Sequence, residues 1–545
     1  KEIGVCYPYQ VYRQAPVIDY MYGAMETTTS TIFGDYMLID RGAFWQRNYI
    51  NTNAHEMAHQ WFGNAITQLV NKDVWLTESF ATYYAKIFER SVFGEDQYQN
   101  IRKDELDLAL NASKTNNYPV GGTRGGVPRI YQKGSLVLDM LRYVAGDREF
   151  RDAIRLYASG NLFRYSESSG LERAFYEVTG KSYHWFFDEW VFHGGEPEYK
   201  VICEVKNDTL GNRFTEFRVS QEQETNDLTG LFRMPIVFEV HYTDGSFDAK
   251  KVMVENKYQE VSILNPAKKR IDFVLFDPGR RIMKKVDFDK PFEELSAQLL
   301  RAPQMIDRYD ALVALRSFPV EKKRDILIRS YHKETFHLIR SEVIAQLSGD
   351  SDPAVMALLK QALDEPDAYV RKAVLQNVVP VPEDLRSGFE KALNDTSYLN
   401  IELALENLCN SFPAEADRYL NITRNMTGWR GLNIRMKWLE ISIGKGMDSY
   451  REELIGYTGP KYEFETRMNS LEIARKLNIC DERVLKNAVS AYLHWNSKLS
   501  GAGRDVLKYF AQQEKSREII EKIIHGRQWS EKERTSLNNL WLSLN

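Results

Sequence analysis

Residues 53–59, with the sequence NAHEMAH, carry the most information in this chain of 545 residues. They contain the pattern H-E-x-x-H within a stretch that is compatible with a helix. Residues four positions apart lie on one face of a helix, so His55 and His59 are placed to bind one metal ion, with Glu56 directed toward a bound water. Zinc bound in this way keeps an open position and activates water near neutral pH. The alternative is a surface helix that carries two histidines without a metal.

A third ligand is expected from a second helix, which the sequence WLTESFA at residues 75–81 predicts. Glu78 follows His59 by nineteen positions, and residues 71–73 (NKD) form a predicted turn between the two helices. An antiparallel pair of helices would bring Glu78 back to the histidines. Two imidazoles, one carboxylate and a water complete a catalytic zinc site. The alternative for Glu78 is an ordinary carboxylate in the first turn of a helix, where the helix dipole favours it.

Upstream, residues 27–33 (TTTSTIF) are rich in β-branched side chains and predict a strand. Gly23, just before it, would let another backbone approach closely, and a peptide could pair with such a strand edge. Glu26 would then be a fixed negative charge near the metal. Taken alone, Glu26 is better explained as a solvated carboxylate on a strand.

Together these motifs resemble the aminopeptidase N family of zinc peptidases (gluzincins). The family motif G-x-M-E-N is similar to Gly23, Ala24, Met25 and Glu26, with Thr27 in place of the usual Asn. The zinc motif H-E-x-x-H-x18-E matches the spacing over residues 55–78, and the segment QWFGN at residues 60–64 is also family-like. The resemblance implies a thermolysin-like α+β catalytic domain with one Zn²⁺ per chain.

The resemblance also implies roles for single residues. The three zinc ligands would be His55, His59 and Glu78. Glu26 would bind the free α-ammonium of the substrate, within a substrate-binding segment at residues 23–26, and Glu56 would act first as general base and then as general acid. Tyr131, in the sequence YQKG at residues 131–134, would donate a hydrogen bond to the oxyanion of the tetrahedral intermediate. The alternative for Tyr131 is a half-buried tyrosine of a helix.

The chain departs from the family pattern around the predicted ligands and at its start. Thr77 and Ser79 replace the usual Asn and Gly on either side of Glu78, while the ligand itself is kept. The chain begins only 22 residues before Gly23. We therefore expect an N-terminally truncated catalytic domain without the N-terminal β domain of the family.

The composition is that of a globular protein, with 43% hydrophobic and 27% charged residues. A net charge of −4 gives no reason to expect nucleic acid as a partner. No apolar run approaches the roughly 18–20 residues of a membrane span. We expect a soluble monomer that acts on peptides with a free N-terminal amine, and the compartment stays open between cytoplasmic, periplasmic and secreted.

The pattern along the chain predicts a multidomain, mainly α protein with three domains. Residues 1–195 would be the catalytic domain. Period-two alternation within residues 199–205, 214–219, 236–242 and 250–254 predicts strands, and hence a small β-sandwich over residues 196–291. Over residues 292–545, similar helical segments recur at intervals of 31 to 33 residues, which predicts a HEAT-like α-solenoid.

Two other functions compete with that of an aminopeptidase. A relative without catalysis would use the solenoid as a protein-binding scaffold, but such relatives usually lose a zinc ligand or the general base. A family member could also hydrolyse an epoxide lipid at the same zinc site. Zinc content together with hydrolysis of an aminoacyl reporter separates these alternatives.

Overall fold

The computed structural model of the protein describes residues 2–526 and 528–544, and the chain is mostly helical with several small sheets. Its contacts divide it into two compact units. The first comprises Lys1–Ala15, Ala24–Phe33 and Tyr49–Val343, and the second comprises Pro16–Gly23, Gly34–Asn48 and Ile344–Asn545. These units are coarser than the three predicted domains, whose boundaries stay a prediction.

The strands lie in the first part of the chain, up to residue 287. They are β1 (Arg13–Val17), β2 (Ala24–Met25), β3 (Ser30–Gly34), β4 (Ile66–Gln68), β5 (Arg164–Ser166), β6 (Glu198–Asn207), β7 (Arg213–Gln221), β8 (Met234–Tyr242), β9 (Phe247–Val254), β10 (Tyr258–Leu264), β11 (Ile271–Phe276) and β12 (Lys285–Asp287). The sheet orders are β1-β3-β2, the parallel pair β4-β5, β10-β7-β6-β12 and β11-β8-β9.

The two sheets built from β6 to β12 share a buried aromatic core. Phe217 of β7 and Phe238 of β8 pack edge-to-face with ring centroids 5.1 Å apart, and both side chains are fully buried. The predicted strands at residues 199–205, 214–219, 236–242 and 250–254 lie within β6, β7, β8 and β9. The hairpin between β8 and β9 turns at Gly245, whose φ of +85° is in the left-handed region that glycine tolerates best. Alternating side chains therefore specify this part of the fold locally.

A series of α-helices lies between residues 44 and 187 of the chain. They are α1 (Phe44–Arg47), α2 (Ile50–Ala58), α3 (Trp75–Phe93), α4 (Glu95–Ser113), α5 (Gly134–Ala145), α6 (Asp147–Asn161), α7 (Ser168–Thr179) and α8 (His184–Phe187). Two short π-helical turns, Arg129–Lys133 and Asp188–Phe192, continue into or out of these helices. The predicted turn before α3 is a single 3₁₀ turn, Asn71–Asp73.

Helix α3 is fixed in the core of the first unit by aromatic packing. Trp75, Phe80 and Tyr83 on this helix are fully buried. The ring of Phe62, which follows α2, stacks on that of Phe80 with centroids 4.4 Å apart. Burying such large side chains contributes about 1.5–3 kcal/mol each to folding. The helix that carries Glu78 is therefore held on the side of α2 that carries the histidines.

From residue 292 the chain is helical. The helices are α9 (Phe292–Arg301), α10 (Met305–Ala314), α11 (Val320–Lys333), α12 (His337–Leu347), α13 (Pro353–Leu363), α14 (Ala368–Asn377), α15 (Arg386–Ala392), α16 (Tyr398–Ser411), α17 (Ala416–Thr423), α18 (Asn433–Gly444), α19 (Arg451–Tyr457), α20 (Phe464–Lys476), α21 (Glu482–Tyr492), α22 (Ser497–Phe510), α23 (Glu514–His525) and α24 (Glu531–Leu544). Within the second unit, alternate helices contact one another in the order α14, α16, α18, α20 and α22.

Short segments from the beginning of the chain complete the second unit. The hydroxyl of Tyr398 donates to Asp40 Oδ2 at 2.8 Å, and Arg47 Nη1 lies 2.6 Å from Glu465 Oε2. These contacts join residues 34–48 to helices α16 and α20. In the part of the chain that the structure describes, no helix has both the length and the apolar character needed to cross a membrane.

Candidate active site

The H-E-x-x-H segment lies at the carboxyl end of α2. His59 directly follows the helix, but it keeps helical backbone angles, and its N–H donates to the carbonyl of His55 at 3.2 Å. The two imidazoles therefore share one face of the helix, as predicted. Their Nε2 atoms are 3.0 Å apart.

Glu78, in the first turn of α3, faces both histidines. Its Oε2 lies 3.4 Å from His55 Nε2 and 3.3 Å from His59 Nε2. This oxygen is buried and has no hydrogen-bond partner within residues 2–526 and 528–544. Two imidazole nitrogens and one carboxylate oxygen thus converge on a common point, which is the donor set that zinc prefers. The position of these three atoms is better explained by a shared divalent cation than by hydrogen bonds among the three side chains.

The charges of the three groups support each other. Burial alone would raise the pKa of the Glu78 carboxyl, but His55 and His59 outweigh burial and hold this pKa well below its usual range. Glu78 is therefore an anion near neutral pH. The same carboxylate helps to raise the pKa of His59 to about 8, whereas burial lowers the pKa of His55. A metal bound here would therefore displace a proton from His59.

Groups outside the three predicted ligands orient them. His59 Nδ1 lies 2.9 Å from the carbonyl oxygen of Phe62, and His55 Nδ1 lies 3.4 Å from Thr82 Oγ1. An N–H donated from Nδ1 to the Phe62 carbonyl leaves Nε2 of His59 free as an acceptor for a metal. Thr82 Oγ1 also donates to the carbonyl of Glu78 at 2.8 Å. The roles of Phe62 and Thr82 were not predicted, although the position of Thr82, four residues after Glu78, was a usable signal.

Glu56 lies beside the ligands and is almost completely buried, with 6% of its surface exposed. Its Oε2 finds no hydrogen-bond donor among the described residues. Burial raises the pKa of Glu56 to about 7, with His59 opposing this effect and Glu26 and Glu78 adding to it. A carboxyl with this pKa both accepts and releases a proton near neutral pH, which suits a general base that later acts as an acid.

Tyr131 lies in the π-helical turn Arg129–Lys133, and π-helical turns are frequent at functional sites. Its ring stacks on the imidazole of His55, with centroids 5.7 Å apart and planes 10° apart. Burial and the nearby carboxylate of Glu78 raise the pKa of the Tyr131 hydroxyl well above its usual value. The hydroxyl therefore keeps its proton and is available as a hydrogen-bond donor.

Buried charges anchor the turn that carries Tyr131. Arg129 and Lys133 are fully buried, and both face the carboxylate of Glu196, which is itself 5% exposed. Lys133 Nζ also donates to the carbonyl of Gly195 at 2.7 Å, and Arg129 Nε donates to the carbonyl of Asn116 at 2.7 Å. The contact between Arg129 and Glu196 was not predicted, because no local sequence pattern connects residues that lie 67 positions apart.

Glu26 lies in a loop, and the predicted strand over residues 27–33 is wrong for its first part. Strand β3 begins at Ser30, and residues 28 and 29 form the turn after β2. Thr29 has a φ of +63°, and its N–H donates to Oε1 of Gln60 at 2.9 Å instead of to a neighbouring strand. The β propensity of the threonines is overridden by this contact.

The backbone of Glu26 is held by the segment after the second histidine. Its carbonyl oxygen accepts from Asn64 Nδ2 at 2.6 Å and from Gln60 Nε2 at 3.3 Å. The carboxylates of Glu26 and Glu56 and the imidazole of His59 form a second cluster of possible metal ligands. Their ligand atoms lie within 4.8 Å of one another. The family-like sequence QWFGN thus has a physical role, since it places Glu26 beside the ligands.

The other residues of the predicted substrate segment flank Glu26. Ala24 and Met25 form β2, which is an edge strand of the sheet β1-β3-β2 and, among the residues that the structure describes, pairs with β3 alone. Gly23 has a φ of +81° and belongs to the second unit by its contacts, where its carbonyl accepts from the N–H of Gly34 at 2.6 Å. Pairing of an extended peptide with this edge strand stays a prediction.

Comparison with known proteins finds peptidase relatives for the first part of the chain. Residues 1–190 match the Peptidase family M1 domain. The chain is 28% identical over 346 residues to the Tricorn protease-interacting factor F2 of Thermoplasma acidophilum, covering 60% of this chain and 41% of that protein. It is 31% identical over 208 residues to aminopeptidase N of Lactococcus lactis subsp. cremoris, covering 35% of this chain and 24% of the relative.

A solved structure extends the likeness along the chain. The crystal structure of Legionella pneumophila aminopeptidase A in complex with aspartic acid superposes with a TM-score of 0.61, covering 97% of this chain and 70% of that one at 15% identity. At this identity the match is one of fold alone. The chain spans less than half the length of the curated relatives that it matches. The predicted resemblance to the aminopeptidase N family is therefore confirmed over residues 1–190, which match the Peptidase family M1 domain.

Proposed function

We propose that this chain is a zinc-dependent aminopeptidase that removes N-terminal amino acids from peptides. The observation that carries the proposal is Oε2 of Glu78, which is buried within 3.4 Å of the Nε2 atoms of both His55 and His59 and lacks a hydrogen-bond partner among the described residues. One zinc ion bound by these three residues would supply a Lewis acid that acidifies water and polarises the scissile carbonyl.

Glu56 moves the proton in this mechanism. Its carboxylate takes a proton from the attacking water and later gives it to the leaving amine. The pKa of about 7 that burial produces supports both steps, because neither protonation state is strongly disfavoured near neutral pH. The scissile peptide bond breaks as the nitrogen receives this proton, and a free amino acid and a shortened peptide are the products.

Tyr131 stabilises the tetrahedral intermediate. Its hydroxyl stays protonated, because burial and the charge of Glu78 raise its pKa. Stacking on His55 keeps the phenol beside the ligands. A donor that is already oriented toward a developing oxyanion strengthens its interaction in the transition state, where the charge is largest.

Glu26 makes the enzyme an exopeptidase. Three carboxylates, from Glu26, Glu56 and Glu78, meet around two imidazoles. A divalent ion leaves one net negative charge in this group, which the α-ammonium of a free N-terminus balances. An acetylated terminus offers no such charge and leaves Glu26 poorly paired.

The larger architecture belongs to the same proposal. We place the ligand-bearing helices α2 and α3 in a thermolysin-like α+β catalytic domain, and the helices of residues 292–545 in a HEAT-like solenoid. The successive contacts of α14, α16, α18, α20 and α22 support a repeated helical array.

The test is an assay of this chain with an aminoacyl fluorophore and with its N-acetylated twin, each with and without a zinc chelator. Cleavage of the free amine only, lost on chelation and recovered with zinc, is the expected result. The Glu56→Gln variant serves as the control for a contaminating peptidase. A zinc-loaded chain that binds proteins but cleaves neither substrate would favour the scaffold function, and turnover of an epoxide lipid above that of peptides would favour the lipid hydrolase.

A further inference from the structure

A direct hydrogen bond connects the helix of Glu78 with the turn of Tyr131. Ser79 on α3 is fully buried, and its Oγ donates to the carbonyl oxygen of Ile130 at 2.6 Å. Ser79 directly follows Glu78, and Ile130 directly precedes Tyr131 in the π-helical turn. One hydroxyl therefore spans the gap between a ligand-bearing residue and the proposed oxyanion donor.

The chain makes room for this hydroxyl at Gly134. A Cβ atom at this position would lie 1.9 Å from Ser79 Oγ and 2.7 Å from Ser79 Cβ, so no other side chain fits while the serine is present. The backbone of Gly134 is ordinary helix, with φ of −62° and ψ of −39°. Glycine is required here for space and not for its conformational freedom, although it costs about 1 kcal/mol in a helix relative to alanine.

The buried ion pairs of the turn lead to groups outside α3. Arg129 and Lys133 tie the turn to Glu196 and Gly195, beyond the helices of the site. Ser79 supplies a hydrogen bond from the helix that carries Glu78 to the turn itself, whereas Lys86 of the same helix binds Ser135, beyond the turn, at 3.0 Å. A displacement of a catalytic group by about 1 Å is enough to cost up to about a hundredfold in rate.

We propose that Ser79 is a positioning residue for Tyr131, which sets the distance of the phenol hydroxyl from the metal-ligand cluster through the carbonyl of Ile130. The inference rests on the proposed function, in which Tyr131 donates to the oxyanion. The contact depends on the hydroxyl of Ser79, which neither alanine nor glycine supplies at this position. Its loss affects the transition state more than the bound substrate.

The first experiment compares the full chain carrying Ser79→Ala with a matched control, Ser91→Ala. Ser91 lies on the same helix, and its hydroxyl donates to the carbonyl of Phe88 in an exposed position. We expect Ser79→Ala to lower kcat by about 10-fold, with KM changed by less than about 2-fold and zinc content unchanged, on the scale of one hydrogen bond. Ser91→Ala leaves all three unchanged. An unaltered kcat in a folded, zinc-loaded Ser79→Ala variant overturns the proposal.

Two further variants separate positioning from structural damage. In a Tyr131→Phe background, Ser79→Ala is expected to have no further effect on kcat, because the group that it positions is gone. The same 10-fold loss in both backgrounds overturns the proposal. The double variant Ser79→Gly/Gly134→Ala refills the space without the hydrogen bond and is expected to keep the low kcat, whereas full recovery means that packing alone mattered and also overturns it.

Hydrogen exchange distinguishes failure of this inference from failure of the proposed function. A wild-type chain that binds zinc but cleaves no peptide argues against the aminopeptidase function. The hydrogen bond between Ser79 and the carbonyl of Ile130 is then tested by exchange alone. In that case Ser79→Ala must accelerate amide exchange over residues 129–134 relative to Ser91→Ala. Equal exchange in the two variants overturns the inference.

Discussion

The three proposed metal ligands and the proposed oxyanion donor are held in place by different interactions. His55 and His59 are positioned by one turn of helix, and Glu78 is brought to them by apolar packing of α3. Tyr131 depends instead on a π-helical turn that is tied to Glu196 by buried charges. The first arrangement is specified locally, and the second depends on residues far apart in the chain.

This difference gives each region its own observable. Damage to the α2–α3 pair should appear as loss of bound zinc. Damage to the turn of Tyr131 should leave zinc in place and appear as a lower kcat. Zinc content and kcat, measured on the same variant, therefore distinguish the two regions.

The largest effect is expected for Glu56→Gln. This change keeps the shape of the side chain but removes the base, and kcat should fall by about 10⁴-fold, at the upper end of what a general base contributes. Zinc content should stay at one per chain, because Glu56 is not one of the three ligands. Turnover within 10-fold of wild type, measured with the zinc-loaded variant, would exclude Glu56 as the base.

Tyr131→Phe is expected to have the next largest effect. Removal of one oxyanion donor should lower kcat by about 10²–10³-fold, while KM and zinc content change little. Phenylalanine retains the ring that stacks on His55, so packing is preserved. A normal kcat in this variant would remove Tyr131 from the mechanism and leave the π-helical turn without an assigned role.

The sequence predicted the locally specified region well and the long-range region only in part. The spacing of His55, His59 and Glu78 was sufficient to predict that three ligand atoms meet, and the structure brings them together. The alternation of side chains likewise predicted β6 to β9. Each of these signals lies within a few turns of helix or a single strand, where period and propensity determine the structure.

The structural features that were not predicted depend on contacts between segments far apart in the sequence. Composition predicted a strand at residues 27–29, but the side chain of Gln60 binds the backbone there and favours a turn. Glu196 lies 67 positions from Arg129, and no local pattern indicates their contact. The π-helical turn has no sequence signature of its own, so the position of Tyr131 was available only through the family motif.

The third prediction concerns the buried charges that hold this turn. Glu196→Gln leaves Arg129 and Lys133 buried without their counter-charge, and the free energy of unfolding should fall by about 3 kcal/mol. The variant should also lose kcat while it keeps its zinc. The matched control is Glu198→Gln, two residues away, whose exposed ion pair with Lys285 contributes at most about 1 kcal/mol. Equal denaturation midpoints for the two variants would show that the buried cluster does not hold the turn.

The smallest effect is expected for Asn64→Ala, which tests the loop of Glu26. The variant loses the hydrogen bond from Asn64 Nδ2 to the carbonyl of Glu26. Loss of one such bond should weaken substrate binding by about 1 kcal/mol, which corresponds to a roughly 5-fold rise in KM for substrates with a free amine. The control is Asn161→Ala, which removes a similar bond to the carbonyl of Tyr157 outside the site and should leave KM unchanged. Because Glu26 is proposed to bind the amine and to take no part in bond cleavage, kcat and zinc content should both stay near wild type. A fall in kcat with an unchanged KM would instead place this loop with Tyr131 among the groups that act in the transition state, and the amine-binding role of Glu26 would have to be abandoned.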